Sequence, residues 1–296
     1  MAESSQITSL LTNRDLDRLA RLRLNTSRRF TNRARGEHFA SKGGTSTEFC
    51  DYRDYAPGDD VRFVDWNIFA RIERPYLKQF HHEEELYVAI ILDASNSMQF
   101  EEKFALGLKL ATGLGVVGLR GQEKVSATIV GAVKTQRLQP SSGRTSMRKL
   151  FVFLESVGTG GEQAFDRGIE TFLRRHHGRG VAILISDFLS AEDFQRSFNL
   201  LNGAGLEIFG LQILGPSEMA PELAGDLRFV DSETHGTLDI TSAGDLLTLY
   251  HEYREGHAMR LAELCRQRNG RFVTVNSAEP FESVMFDTLR RRGWVV

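Results

Sequence analysis

The sequence predicts an α/β protein, a mostly parallel sheet flanked by helices with an N-terminal accessory region. Three observations carry this prediction. Short, near-continuous apolar runs, such as "YVAIIL" (87–92) and "VAILIS" (181–186), read as strands buried on both faces. Segments of helical spacing alternate with them. Two of the runs end in an aspartate, "IILD" at Asp93 and "LISD" at Asp187. In an open parallel sheet the ligand site lies beyond the carboxyl ends of the strands.

Taken in order, residues 1–85 are polar, arginine-rich and glycine-punctuated, and form the accessory region. Residues 86–296 form the α/β domain. Leu86–Leu92 reads as its first strand and Phe104–Leu119 as a helix. Gly107, Gly113, Gly115 and Gly118 in that helix each cost roughly 1 kcal/mol against alanine, which close helix–sheet packing would offset. Lys124–Val130 and Ala132–Leu138 read as paired strands turning at Gly131. Ser146–Val157 and Glu162–Arg175 read as helices, Val181–Ser186 as a strand, Ala191–Asn202 as a helix and Glu207–Leu214 as a strand. Ala243–Arg268 is a long helix stopped by Asn269-Gly270. Arg271–Val275 is a last strand, and Pro280–Arg292 a last helix with proline at its start.

Composition limits the function. The 296 residues are 41% hydrophobic and 26% charged, with a formal net charge of -2. The whole molecule therefore has no strong pull towards nucleic acid or anionic membranes. The charge is uneven: residues 1–36 hold eight arginines against Glu3, Asp15 and Asp17. This reads as a solvated amphipathic helix with a mobile basic linker, or as contact with nucleic acid, a membrane surface or an acidic partner. Cys50 and Cys265 stand far apart and outside any C-x-x-C pattern, which fits reduced thiols in the cytoplasm. No signal peptide or membrane-length apolar run is expected.

The chemistry gathers at the strand ends. Asp93, Ser95 and Ser97 lie at i, i+2 and i+4, and a tight loop can turn all three inward. Asp187 adds a second carboxylate. Hard oxygen donors with few charges suit Mg²⁺ or Mn²⁺, and nothing soft favours copper or zinc. The other reading is that Asp93 and the serines merely cap a helix.

"ILDASNS" resembles the first motif of the metal-ion-dependent adhesion site of von Willebrand factor A-type domains. That resemblance implies a Mg²⁺ site at Asp93, Ser95, Ser97 and Asp187, with the aspartates acting largely through water and a partner carboxylate as the last ligand. A threonine is also implied. Thr159, 28 residues before Asp187, fits the family spacing better than Thr145 in "SGRTSM". The usual T-D-G around the last aspartate is Ser186, Asp187, Phe188 here.

A second stretch, "GGTSTEFCDYRDYAPGDDVRFVDWNIFARIERPYLKQFHHEEE", resembles the bacterial domain-of-unknown-function family 58. Its members are von Willebrand A-like proteins typically encoded beside MoxR-type AAA+ ATPases. The resemblance implies such an ATPase, or its client, as partner. It marks Arg53, Tyr55, Asp59, Asp60 and Arg62 as candidate partner-binding residues. Many relatives carry membrane helices; this chain is read as a soluble, cytoplasmic version. From the residues alone, "APGDD" is a turn. Asp59 and Asp60, with Arg53, Arg62 and Arg71, read as ion pairs pinning the segment to the main domain, and Trp66 reads as a core anchor.

Enzyme classes fare poorly. There is no G-x-x-x-x-G-K-[ST] and no G-x-S-x-G. A phosphatase of haloacid dehalogenase type would use Asp93 as nucleophile, but needs an acid where Ser95 stands. His81, His82, His176, His177, His251 and His257 read as structural or exposed. A metal-free interaction domain remains the further alternative.

Overall fold

The computed structural model describes residues 6–26, 49–80, 86–161, 163–190, 193–221, 227–230, 237–240 and 243–296. The chain divides into two compact units. One joins Met1–Ser27 to Leu86–Val296, and the other is Arg28–Glu85. The expected boundary after residue 85 therefore needs correction: the first 27 residues belong to the α/β unit.

The reason is packing. Helix α1 (Asn13–Leu19) opens on a reciprocal cap, Thr12 accepting the Asp15 N–H while the Asp15 carboxylate accepts the Thr12 N–H. Its apolar residues Leu16 and Leu19, with flanking Leu11 and Leu22, are buried in the main core. Arg18 lies over the Phe286 ring, 3.7 Å from its centroid. The chain then pairs with its own C-terminus, Arg23 N–H donating to Val296 and the Val296 N–H donating to Arg23. So α1 is a core element, not a solvated basic helix.

The second unit, described over 49–80, is an antiparallel pair of strands, β1 (Phe49–Asp54) and β2 (Tyr76–Phe80), with helix α2 (Trp66–Ile72) between them. Gly58 takes φ +107 and the Asp59 N–H donates to Ala56, giving the expected turn. Arg53 pairs with Asp59 at 2.6 Å and Arg62 with Asp60 at 2.5 Å, so these pairs close within the unit. Arg71 is exposed. Asp65 caps α2 and pairs with Lys78. Trp66 is 61% exposed, which corrects its expected role as a core anchor. The buried apolar residues described here are Val64 and Leu77, too few to enclose an indole.

The main unit is a six-stranded sheet. Its strands are β3 (Tyr87–Asp93), β4 (Lys124–Val130), β5 (Gln136–Ser141), β6 (Gly180–Ser186), β7 (Leu206–Leu214) and, last in the chain, Arg271–Asn276. In space the order is Arg271–Asn276, β7, β6, β3, β4, β5, parallel throughout except for β4–β5. Every residue of β3, β6 and β7 is buried, as their near-continuous apolar runs predict, and β7 buries Glu207 and Gln212 as well. Helices α3 (Lys103–Arg120) and α4 (Met147–Glu155) cover one face with α1 and the 281–291 helix, which contains a π turn at Val284–Thr288. Helices α5 (Phe165–Leu173), α6 (Phe194–Gly203) and the long helix Ala243–Arg266 cover the other. The glycines of α3 do allow close approach: a Cβ at Gly115 would sit 2.5 Å from Leu150, and one at Gly118 2.8 Å from Val125.

Two expectations about this unit need correcting. β5 starts at Gln136, not at Ala132, because residues 131–135 swing across the sheet end as a loop. β5 is an antiparallel edge strand, so Pro140 is tolerated. A short hairpin, β8 (Leu227–Val230) with β9 (Thr237–Ile240), and a one-turn helix, α7 (Pro216–Met219), were not foreseen. With these placed, the helix Ala243–Arg266 is α8 and the last strand, Arg271–Asn276, is β10.

Leu19 has no exposed surface. Leu19→Ala is expected to lower the unfolding free energy by about 2–5 kcal/mol in urea titration. A loss under ~0.5 kcal/mol would return α1 to the surface.

Candidate metal centre

After β3 the chain builds β4 and β5 on one side, then crosses to β6 on the other. That reversal opens a crevice beyond the strand ends, and β3 and β6 border it directly, with Leu92 opposite Ile185. Asp93 and Asp187 are delivered to it by two neighbouring strands.

Asp93 is buried and held on both oxygens. Its Oδ2 accepts the Ser186 hydroxyl at 2.6 Å and its Oδ1 accepts the Ser95 N–H at 2.9 Å. Gly131 closes over it at φ +74, where an added Cβ would fall 2.3 Å from Oδ1. Burial pushes the Asp93 carboxyl up to about 6, helped by the nearby Asp187 charge and opposed by the hydrogen bonds from Ser186 and Ser95.

Ser95 and Ser97 turn their hydroxyls towards each other, Oγ to Oγ 3.1 Å. Ser95 stands at the N-cap of the 3₁₀ turn Asn96–Glu102, yet its hydroxyl makes no capping bond. Pure capping therefore does not account for it.

Asp187 is anchored by its backbone carbonyl, which accepts from Gln212 at 2.9 Å, and its Oδ1 accepts the Leu189 N–H at 3.2 Å. Its Oδ2 accepts from Lys103 Nζ at 2.8 Å. Lys103 is fully buried and also donates to Glu218 Oε1 at 2.7 Å. Phe188 follows at φ +53, a left-handed backbone normally left to glycine. Its buried ring packs among Phe165, Phe194, Phe198 and Phe272, which offsets that strain. His257 Nε2 bonds the Phe188 carbonyl at 2.8 Å, a structural role.

Four of the five metal-site residues singled out from the sequence, Asp93, Ser95, Ser97 and Asp187, thus line one cavity of about 220 Å³. Gln163 and Ser190 complete its polar wall. Thr159 does not line it. Its loop reaches the site through its neighbours: the Gly160 N–H donates to Ala94 O at 2.9 Å, and Gly161 lines the cavity. Thr145 is exposed, in the turn Arg144–Ser146. His81 and His82 lie outside the described residues. Sequence reasoning missed Lys103, Gln163 and Ser190. Ser186 was visible only as a departure from the T-D-G pattern.

The donors suit a hard cation. Two oxygens 3.1 Å apart match the ~2.9 Å edge of an octahedron with 2.0–2.1 Å metal–oxygen bonds. Ser190 Oγ is buried and, among the described residues, finds no hydrogen-bond partner. Also among the described residues, no three His, Cys, Asp or Glu side chains converge on one point. An ion at this cavity would rest on hydroxyls, water and a ligand from outside the chain.

The profile of the family described as "Protein of unknown function DUF58" matches residues 51–258. An uncharacterized protein of Mycobacterium bovis is 25% identical over 269 residues, which span 87% of this chain and 84% of that relative. Among solved structures, BatB from Bacteroides thetaiotaomicron aligns with a TM-score of 0.45 and 17% identity, over 70% of this chain and 98% of that one. The SpRpn10 VWA domain aligns with a TM-score of 0.40 and 11% identity, over 69% and 95%. No helix among the described residues is long and apolar enough to cross a membrane.

The raised Asp93 carboxyl gives a pH dependence. The folded protein holds this proton more tightly than the unfolded chain. Its stabilising contribution is therefore full below the ordinary value of 3.8 and is lost as pH rises through about 6. Asp93→Asn is expected to remove that slope in denaturation at pH 4–7 and to be more stable at pH 7 by up to ~3 kcal/mol. Superimposable pH profiles for the two proteins would contradict this.

Proposed function

The chain belongs to the family described as Protein of unknown function DUF58, and on that footing we propose a non-enzymatic, metal-ion-dependent protein-binding adaptor. A Mg²⁺ or Mn²⁺ ion is held by Ser95 and Ser97, with Asp93 and Asp187 acting through water; Thr159, the further hydroxyl expected from the sequence, stands off the cavity wall and is not assigned to the ion. An aspartate or glutamate from a partner protein supplies the last ligand. The observation that carries this reading is the pair of serine hydroxyls, 3.1 Å apart and making no capping bond, in one cavity with both aspartates. The ion serves recognition: it joins two anionic surfaces that would otherwise repel.

Hydrolysis through Asp93 is the weaker reading. Both Asp93 oxygens are engaged, and the residue two places on is Ser95 rather than an acid. The resemblance of Gly43–Met98 to proteins encoded beside MoxR-type AAA+ ATPases makes such an ATPase, or its client, the first partner to test. Chaperone-like assembly or maturation of protein complexes is the corresponding role. Arg53, Tyr55, Asp59, Asp60 and Arg62 are the docking residues this reading assigns to the second unit. We place the work in the cytoplasm, where a free buried thiol such as Cys265 stays reduced.

Calorimetric titration of Mg²⁺ and Mn²⁺ into the wild type and Asp187→Ala, in acetate buffer so that an outside carboxylate is present, tests the site. Saturable binding by the wild type, weakened at least tenfold in the variant, is the expected result. Binding that survives Asp187→Ala unchanged would place the ion elsewhere.

A further inference from the structure

Among the described residues Lys103 is the most buried charge in the main unit, and nothing in the sequence motifs accounts for it. Two consecutive residues in left-handed backbone, Glu101 at φ +46 and Glu102 at φ +59, turn the chain between the serine-bearing 3₁₀ turn and α3. That turn drops Lys103 inside, where its ammonium has no exposed surface. It lies 2.8 Å from Asp187 Oδ2 and 2.7 Å from Glu218 Oε1. Glu218 is fixed in turn: its Oε2 accepts the Gly215 N–H at 2.7 Å and its carbonyl accepts the Tyr250 hydroxyl at 2.7 Å.

The charge count at the cavity follows. Asp187 faces the cavity, but its charge is already met by an internal cation. Among the described residues, Asp93 is the one cavity carboxylate without a basic partner. A divalent ion there is left under-neutralised by the described groups. It also has to compete with Lys103 for Asp187.

We propose that Lys103 is the specificity-determining residue of this site: by holding Asp187 it makes firm divalent-ion binding conditional on a carboxylate from outside the chain. This deepens the proposed function and rests on it. Ion and acidic partner then bind each other's complexes more tightly than the free protein, in equal measure. A chain with Lys103 neutralised would instead hold the ion alone and lose its discrimination between acidic and neutral partners.

The test titrates Mn²⁺ in chloride and in acetate buffers at equal ionic strength, reading bound ion by water-proton relaxation. Acetate stands for the partner carboxylate. Wild type is expected to bind more tightly in acetate. Lys103→Met with Glu218→Gln removes one positive and one negative charge together, leaving the net charge unchanged. It is expected to bind about tenfold more tightly than wild type in chloride, within the ~5–150-fold range of coupled sites. Its gain from acetate should shrink, while Lys103→Arg should restore the wild-type gain. Equal Mn²⁺ affinity in chloride for wild type and the double variant, with the acetate gain intact, overturns the role of Lys103 and leaves the metal site standing. Absence of Mn²⁺ binding by the wild type in both buffers overturns the metal reading and this inference together. Should the double variant fail to fold, Glu218→Gln alone decides. It lets the ammonium lean wholly on Asp187, so binding in chloride should weaken several-fold, and an unchanged affinity would overturn the proposal.

Discussion

An ammonium group with no access to water must be satisfied by the protein, or the fold that buries it does not form. Lys103 meets this demand with two carboxylates from different places, Asp187 at the end of β6 and Glu218 in α7. The requirement ties the start of α3 to two segments 84 and 115 residues further along the chain. It also fixes Asp187, so the second carboxylate of the cavity takes its place from an ion pair and not only from its strand. Asp93 is fixed differently, by the Ser186 hydroxyl from the adjacent strand. Two neighbouring parallel strands and one buried cation thus define the geometry of the site.

Much of this was legible in the sequence, where the signal was local. Strands β3 and β6 announce themselves because they are apolar up to their last residue; β7 is legible from the apolar residues around its two buried polar positions, Glu207 and Gln212. Asp93, Ser95 and Ser97 could be placed together because a single loop carries them. Asp187 followed from the same logic on a second strand. Lys103 was not legible. A lysine at the start of a helix is ordinarily solvated, and its burial depends on a partner, Glu218, in a one-turn helix that pattern reading did not foresee. The start of β5 was misjudged because Gly131 does not close a tight hairpin; it bends the chain over Asp93, and pairing resumes only at Gln136. The threonine stays ambiguous in geometry as it was in sequence: the loop of Thr159 touches the Asp93–Ser97 loop, while Thr159 itself is off the cavity wall.

Residue size misled at Trp66 and residue charge misled at α1. A tryptophan suggests a core, but the described part of the second unit buries little apolar surface of its own. Val61, Phe63, Trp66 and Ile72 are all about half exposed or more. Conversely, the arginines of residues 1–36 suggested a solvated helix. There the leucines decide: Leu11, Leu16, Leu19 and Leu22 enter the main core while Arg18 rests its guanidinium on Phe286. Long basic side chains can cover apolar surface while keeping their charge in water.

Helix α8 grips the loops after both β6 and β7. His257 holds the carbonyl of Phe188, Tyr250 that of Glu218, and Arg254 that of Met219. These three attachments span about two turns of one rod roughly 36 Å long, whose far end packs beside β10. The two loops therefore cannot shift independently of each other, nor of the helix. A rearrangement at the cavity mouth must break these bonds or carry α8 with it.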